Sequence, residues 1–237
     1  GGSFYGFESD HWGQVVWAEH LSGSLDPRQR YYQYHGKKYV ASFYGQEIYS
    51  LSPKFSTQVT AQIRYQSYKF DQDKIGSFKG YNYDLDWLFF SPRIGATFKL
   101  SDKASIFGNI AVSSRTPTDA DIYDAGDPYA FPSLKVLSTN LSISGDTSFV
   151  FGDPTAKSER VYDFELGGNY RTKSWNAGIN LFWMEFRDEI IPYGGVNANN
   201  GLPITVNADR SVHAGVELSA NVITATHLTL SGNAAVN

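Results

Sequence analysis

The chain has 237 residues, with 20 Lys and Arg against 24 Asp and Glu and a net charge of −4, so it carries no broad basic surface of the kind nucleic-acid binding needs. It has no cysteine, which excludes disulfide scaffolds, thiolate metal sites and cysteine nucleophiles. Aromatic residues reach 16 %, more than an ordinary soluble core uses, and no stretch approaches the roughly 18 to 20 apolar residues of a membrane-spanning helix. If the chain enters a membrane, it must do so with strands.

The opening Gly1-Gly2-Ser3 has no charged-then-apolar leader, and the first 37 residues read as loop-like. From Phe55 an alternation sets in that puts every second side chain on one face. Phe55, Thr57, Val59, Ala61, Ile63 and Tyr65 face one way, and Ser56, Gln58, Thr60, Gln62, Arg64 and Gln66 the other. From Phe90 the apolar set is Phe90, Pro92, Ile94, Ala96, Phe98 and Leu100, against Ser91, Arg93, Gly95, Thr97 and Lys99. The pattern returns from Tyr162, from Val212 and from Leu228. From Trp175 it is mixed: Asn176, Gly178 and Asn180 oppose the apolar set at first, but Phe182, Met184 and Phe186 do so later, so the far end of this strand is expected to pack against a loop or plug.

Connections alternate in size. Short turns fall at 51–54, 100–103, 171–174 and 223–226, and long polar excursions at roughly 18–38, 71–87, 116–158 and 190–207. Tight turns at one end and long loops at the other are what an outer-membrane barrel shows, and a soluble sandwich has no reason to segregate them. Lipid offers the backbone no hydrogen bonds, so such strands must be paired and the sheet closed. Tyr49, Phe89, Phe90, Tyr170, Trp175 and Trp183 lie where amphipathic rings favour the headgroup level. The fold expected is all-β: an antiparallel up-and-down transmembrane β-barrel, present as a partial barrel of about eight to nine strands from a larger one.

No catalytic motif appears. His11, His20, His35, His213 and His227 lack metalloprotease spacing, and no nucleophile elbow, phosphate loop or dinucleotide fingerprint is present, so neither an enzyme nor a cofactor is expected. Asp119, Asp121, Asp124 and Asp127 could offer hard oxygen ligands to Ca²⁺, but Tyr123 occupies what would be a ligand position and no Glu closes the loop, so a solvated acidic loop is the simpler reading. Asp71 and Asp73 with Gly76 are weaker still. Arg64, Arg93, Asp163, Glu165, Arg171 and Glu217 fall on the wet face, to pair with each other or a plug, or to meet ligand. Tyr81, Tyr83, Trp87, Tyr123, Tyr129 and Tyr193 could stack on a sugar or a catecholate, or serve as girdle residues. The ligand-facing candidates are Arg64, Arg93, Arg115, Tyr123 and Tyr129.

The run Phe90-Ser91-Pro92-Arg93-Ile94-Gly95-Ala96-Thr97-Phe98-Lys99-Leu100-Ser101-Asp102 resembles the strand and periplasmic turn of a TonB-dependent receptor barrel. Ser114-Arg115-Thr116-Pro117-Thr118 resembles the family's Arg-x-Pro-Thr segment, where a strand hands over to a long outer loop. Lys157 to Arg160, Asp163 to Gly167, the stretch from Trp175, and Gly215-Val216-Glu217-Leu218 extend the likeness from about Lys38 to the end. The resemblance implies an internal piece of the barrel domain spanning residues 1–237, without the plug and the terminal strands. It further implies residence in the bacterial outer membrane and TonB-energised import of a scarce ligand, with a ferric siderophore or similar iron complex as the default class. Its partners would be outer-membrane lipid, the plug, the TonB complex acting through that plug, and a small extracellular ligand. The rival readings are a passive porin and a soluble or adhesive antiparallel β-protein.

Overall fold

The computed structural model describes residues 1–17, 19, 28–76, 80–127, 130–142, 147–196, 203–224 and 228–237. Nine strands form one sheet: β1 (Gly2–Gln14), β2 (Arg30–Ser52), β3 (Phe55–Ile75), β4 (Asn82–Lys99), β5 (Ala104–Arg115), β8 (Glu159–Arg171), β9 (Trp175–Val196), β10 (Pro203–Ile223) and β11 (Thr229–Val236). Between β5 and β8 the chain makes a four-residue helix α1 (Asp119–Ile122) and a separate hairpin of β6 (Leu134–Leu141) and β7 (Thr147–Pro154). Sheet order follows chain order and every pairing is antiparallel, so this is an up-and-down meander with β1 and β11 at its open edges.

Three short turns share one device. Ser52 Oγ accepts from the N–H groups of Lys54 and Phe55 at 3.2 and 3.0 Å, and Ser101 Oγ from Lys103 and Ala104 at 3.2 and 3.1 Å. Thr172 Oγ1 accepts from Ser174 and Trp175 at 3.3 and 3.0 Å. A hydroxyl oxygen standing in for a backbone carbonyl is what makes Ser and Thr effective at the start of a tight turn.

The structure corrects the reading of the opening residues as loop. β1 pairs with β2 from Gly2↔Phe43 to Gln14↔Arg30. Gly2, Gly6 and Gly13 interrupt its alternation, and aromatic rings occupy both faces, so periodicity alone misses it. The excursions shrink as well: β3 runs on to Ile75, β4 begins at Asn82, β9 reaches Val196 and β10 begins at Pro203.

The cause of that misreading is physical. On β3 the apolar face carries Val59, Ile63 and Tyr65 and then turns polar at Lys69, Asp71 and Asp73, while the opposite face passes from Gln62, Arg64 and Gln66 to Tyr68 and Phe70. On β4 the first face changes between Leu88 and Asp86, and the second changes from Arg93 and Ser91 to Phe89, Leu85 and Tyr83. On β9 Trp183 gives way to Glu185 and Arg187, while Asn180 gives way to Phe182, Met184 and Phe186. The period of two persists, but its apolar phase switches sides part-way up each strand. A strand that keeps period while changing phase looks polar and irregular in sequence.

On β2 to β4 the switched face is covered by the chain between β5 and β8. Tyr68, Phe70, Tyr83 and Leu85 pack with Ile122, Tyr123, Ala125 and Leu134 in a buried cluster, with Tyr81 and Phe151 against it. Phe70 stacks on Tyr83 at 4.9 Å between centroids and meets Tyr123 edge-on at 5.5 Å. Gln72, 2 % exposed, has both side-chain polar atoms hydrogen-bonded at the heart of this contact. Its Nε2 donates to Ala125 O at 2.9 Å, and its Oε1 accepts from the Tyr123 hydroxyl at 2.8 Å and from Tyr81 N at 3.4 Å. Gly80 is required beside it, since a Cβ there would fall 2.5 Å from the Gln72 carbonyl oxygen. On β9 the switched side chains lie instead on the neighbouring strand: the Phe182 ring over Gly215, and Phe186 edge-on to His213 at 4.9 Å.

Phe70→Ala is expected to cost about 3 to 5 kcal/mol at this cluster. Limited proteolysis of the intact protein should then cut within 116–158 far faster while the barrel keeps its heat-modifiable gel mobility; an unchanged cutting rate would show that the cluster does not hold the segment.

Candidate ligand-facing surface

The polar face of the sheet divides into two sectors where it nears the long connections. The β2 to β4 sector is filled by the aromatic cluster. The β5 to β10 sector is polar, and side chains from five elements converge on it.

The sectors meet at a split. β4 and β5 pair only from Arg93↔Ala111 to Lys99↔Ser105, and beyond that both strands continue without pairing to each other. Arg64 reaches from β3 across β4 to fill the gap. Its Nη2 donates to Ser114 O at 2.7 Å, and its guanidinium lies 5.2 Å from the centroid of the Phe89 ring. Gln66 Nε2 donates to Thr116 Oγ1 at 3.2 Å. Arg64 therefore ties the end of β5 to β3 and β4, and Phe89 is a buried support for that tie rather than a girdle ring. Arg93 lies lower, on one rung with Ala111 and Asp163, where small Ala111 leaves opposite charges facing each other.

Arg115 closes β5. Its Nη2 donates to Glu159 Oε2 at 2.9 Å, and the same oxygen accepts from Ile190 N at 3.0 Å. The Glu159 side chain is 12 % exposed and that of Arg115 57 %, so the carboxylate is sequestered and the guanidinium is presented. Asp188 adopts a left-handed backbone (φ 53°), which breaks the alternation on β9. Glu189 beyond it meets the Ser211 hydroxyl and His213 Nε2, the latter at 3.2 Å. Thr118 caps α1 in a reciprocal capping box with Asp121, whose other carboxylate oxygen accepts from the Thr205 hydroxyl. Lys157 pairs with Asp188 at 2.7 Å, and Asn207 bonds the backbone of both.

Two carboxyls here titrate away from their ordinary values. Burial pushes Glu189 up, but hydrogen bonds from Ser211 and His213 outweigh it and hold the group below its usual range. For Asp121 burial is likewise outweighed by the bonds from Thr205 and Thr118. Burial raises the phenols of Tyr68, Tyr83 and Tyr123, which stay neutral.

Of the five ligand-facing candidates, two are exposed donors among the described residues: Arg115 in the convergent sector and Arg93 lower on the lumen face. Tyr123 is buried with its hydroxyl committed to Gln72, Arg64 is committed to Ser114, and Tyr129 lies outside the described residues. The four Asp residues are spread among other tasks: Asp119 pairs with Lys38, Asp121 caps α1, Asp124 Oδ1 accepts from Gly126 N, and Asp127 is buried. Among the described residues no group of three or more His, Asp or Glu is arranged to hold a metal. Sequence reasoning misses Glu159, Glu189, Ser211 and Thr205, because their convergence depends on register and on one left-handed residue.

The sequence profile described as "TonB dependent receptor-like, beta-barrel" matches residues 1–236. The chain belongs to this family. No curated protein matches it in sequence. Solved TonB-dependent receptors share its fold. The ferric-catecholate import receptor Fiu of E. coli K12 aligns at TM-score 0.59 with 14 % identity, over 99 % of this chain and 34 % of Fiu. The ferric yersiniabactin uptake receptor FyuA of Yersinia pestis aligns at 0.56 with 16 % identity, over 87 % and 28 %. The FrpB iron transporter of Neisseria meningitidis aligns at 0.52 with 21 % identity, over 85 % and 26 %. The chain thus spans about a quarter to a third of these receptors' length. As a TonB-dependent receptor segment it is barrel wall in the outer membrane, with its apolar face to lipid, its polar face to the lumen and its short turns to the periplasm.

The depressed carboxyls set a pH dependence. A folded-state pKa below the unfolded one contributes stability that is present above the unfolded value and lost as pH falls through the folded value. The melting temperature should therefore drop on acidification from about pH 5 to about pH 3, and the double variant Asp121→Asn, Glu189→Gln should flatten that limb. A limb of unchanged steepness in the double variant would contradict the assignment.

Proposed function

We propose that the protein bearing this chain is a TonB-energised importer, and that the chain supplies lumen lining and outer-mouth surface to it. In this reading the chain forms a partial barrel across residues 1–237, working with a plug that couples to the TonB complex. The observation that carries the proposal is the family match over residues 1–236, joined to a polar lumen face whose mouth presents Arg115. Recognition would be by binding alone, with no bond made or broken in the ligand.

The ligand class we infer is an anionic iron chelate such as a ferric siderophore. Support comes from the exposed guanidinium of Arg115, a planar donor suited to carboxylate or catecholate oxygens. The iron-transporting receptors that share the fold point the same way, although a copper transporter, OprC, also aligns, at TM-score 0.56 and 12 % identity.

The test uses the whole receptor in outer-membrane-competent cells. Uptake of ⁵⁵Fe-loaded siderophores should require both the receptor and an intact TonB system, and Arg115→Ala should weaken binding about tenfold, or about 1.4 kcal/mol. Uptake that persists without TonB would support a passive pore and overturn the proposal. Binding of cupric ions with no ferric chelate bound would overturn the ligand class alone.

A further inference from the structure

On the lipid-side face, one rung above the membrane band has an unusual charge pattern. Arg160 of β8 pairs in register with Arg187 of β9, which pairs with Arg210 of β10. Neighbouring strands lie about 4.8 Å apart, so three guanidinium stems stand side by side, and like charges directly opposite are destabilising. Among the described residues Glu185 is the carboxylate that answers them, bonding Arg187 at 2.6 Å and Arg210 at 3.0 Å. Among the described residues Arg160 has no ion pair, and all three arginines are exposed, Arg187 and Arg210 at 52 % and 55 %.

The opposite sector of the same collar handles its charge differently. There the rung reads Glu8, Lys37, Lys69, Asp84 and is self-neutral, with Lys37 3.3 Å from Glu8 and Lys69 3.4 Å from Asp84. An internal salt-bridge ladder therefore accounts for β1 to β4 and leaves β8 to β10 with uncompensated positive charge. Two rungs below on the same face, past Tyr162 and Glu185, lie Trp183 and Phe164, so the arginines stand above the aromatic rings, where the anionic groups of the outer leaflet are the phosphates of its glycolipid. A guanidinium fork matches a phosphate's oxygens in pairs.

We propose that the Arg160–Arg187–Arg210 rung is a binding site for the phosphate groups of outer-leaflet lipopolysaccharide, holding one annular glycolipid against β8 to β10. The phosphates replace the missing counter-charge for Arg160, and Glu185 keeps the two neighbouring forks apart and aimed outward.

The test is made on the whole receptor extracted from outer membranes in mild detergent, with bound lipopolysaccharide measured per barrel by native mass spectrometry. The triple variant Arg160→Gln, Arg187→Gln, Arg210→Gln should retain about tenfold less, whereas Lys37→Gln with Lys69→Gln should retain the wild-type amount. Because Arg160 has no ion pair to lose among the described residues, Arg160→Gln alone should leave gel mobility unchanged and still lower retention, which guards against a triple variant that fails to fold. Rebinding of enzymatically dephosphorylated lipopolysaccharide should fail. Wild-type retention in the triple variant, equal loss in the lysine pair, or full displacement by millimolar inorganic phosphate would each overturn the proposal.

Discussion

A strand has two faces and one period, and in this protein a single strand must satisfy two solvents in succession. Where it crosses lipid, the outward side chains must be apolar and the inward ones can be wet. Where it continues beyond the membrane, water lies outside and packing partners lie inside. The chain meets both demands by keeping the period of two and exchanging the faces: Ile63 and Tyr65 hand over to Lys69 and Asp71 on β3, Leu88 to Asp86 on β4, Trp183 to Glu185 on β9. The remaining features follow from that exchange.

Inside the barrel mouth, the exchange leaves Tyr68, Phe70, Tyr83 and Leu85 facing inward, and they would be exposed without a cover. The chain between β5 and β8 supplies it, with Ile122 and Tyr123 driven into the rings and Gln72 satisfying the polar atoms that burial strands there. With the aromatic part of that segment anchored over β2 to β4, Arg115, Glu189, Ser211 and His213 are grouped on the polar β5 to β10 side of the lumen. Outside the barrel, the same exchange builds a collar of charge above the aromatic rings. That collar neutralises itself on β1 to β4 and does not on β8 to β10.

Where one phase of alternation holds, the sequence is transparent. The segments from Phe55, Phe90, Tyr162 and Val212 are strands with the faces their spacing implies, and the turns at Ser52, Ser101 and Thr172 are where hydroxyl residues place them. The extensions of β3, β4 and β9 were opaque because a change of phase mixes polar and apolar residues at both parities, which is also how a loop reads. β1 was hidden by its glycines, and β6 and β7 by being short strands inside a long excursion that reads as polar loop. At the site, Arg115 is legible through the Arg-x-Pro-Thr segment. Glu159, Glu189 and Ser211 are not, since they are brought together across three strands and by the backbone of Asp188. Tyr123 shows the converse: an aromatic in a loop suggests a ligand platform, and burial against Phe70 makes it core.

The exchange of faces is directly measurable, because the chain has no cysteine and single thiols can be introduced without background. In the whole receptor held in outer-membrane vesicles, cysteines at Ile63, Leu88 and Leu181 should resist a membrane-impermeant maleimide and report a lipid environment. Those at Lys69, Asp84 and Glu185, on the same faces a few residues on, should label fully. Uniform labelling along either set, with no boundary between Tyr65 and Lys69 or between Trp183 and Glu185, would contradict the account.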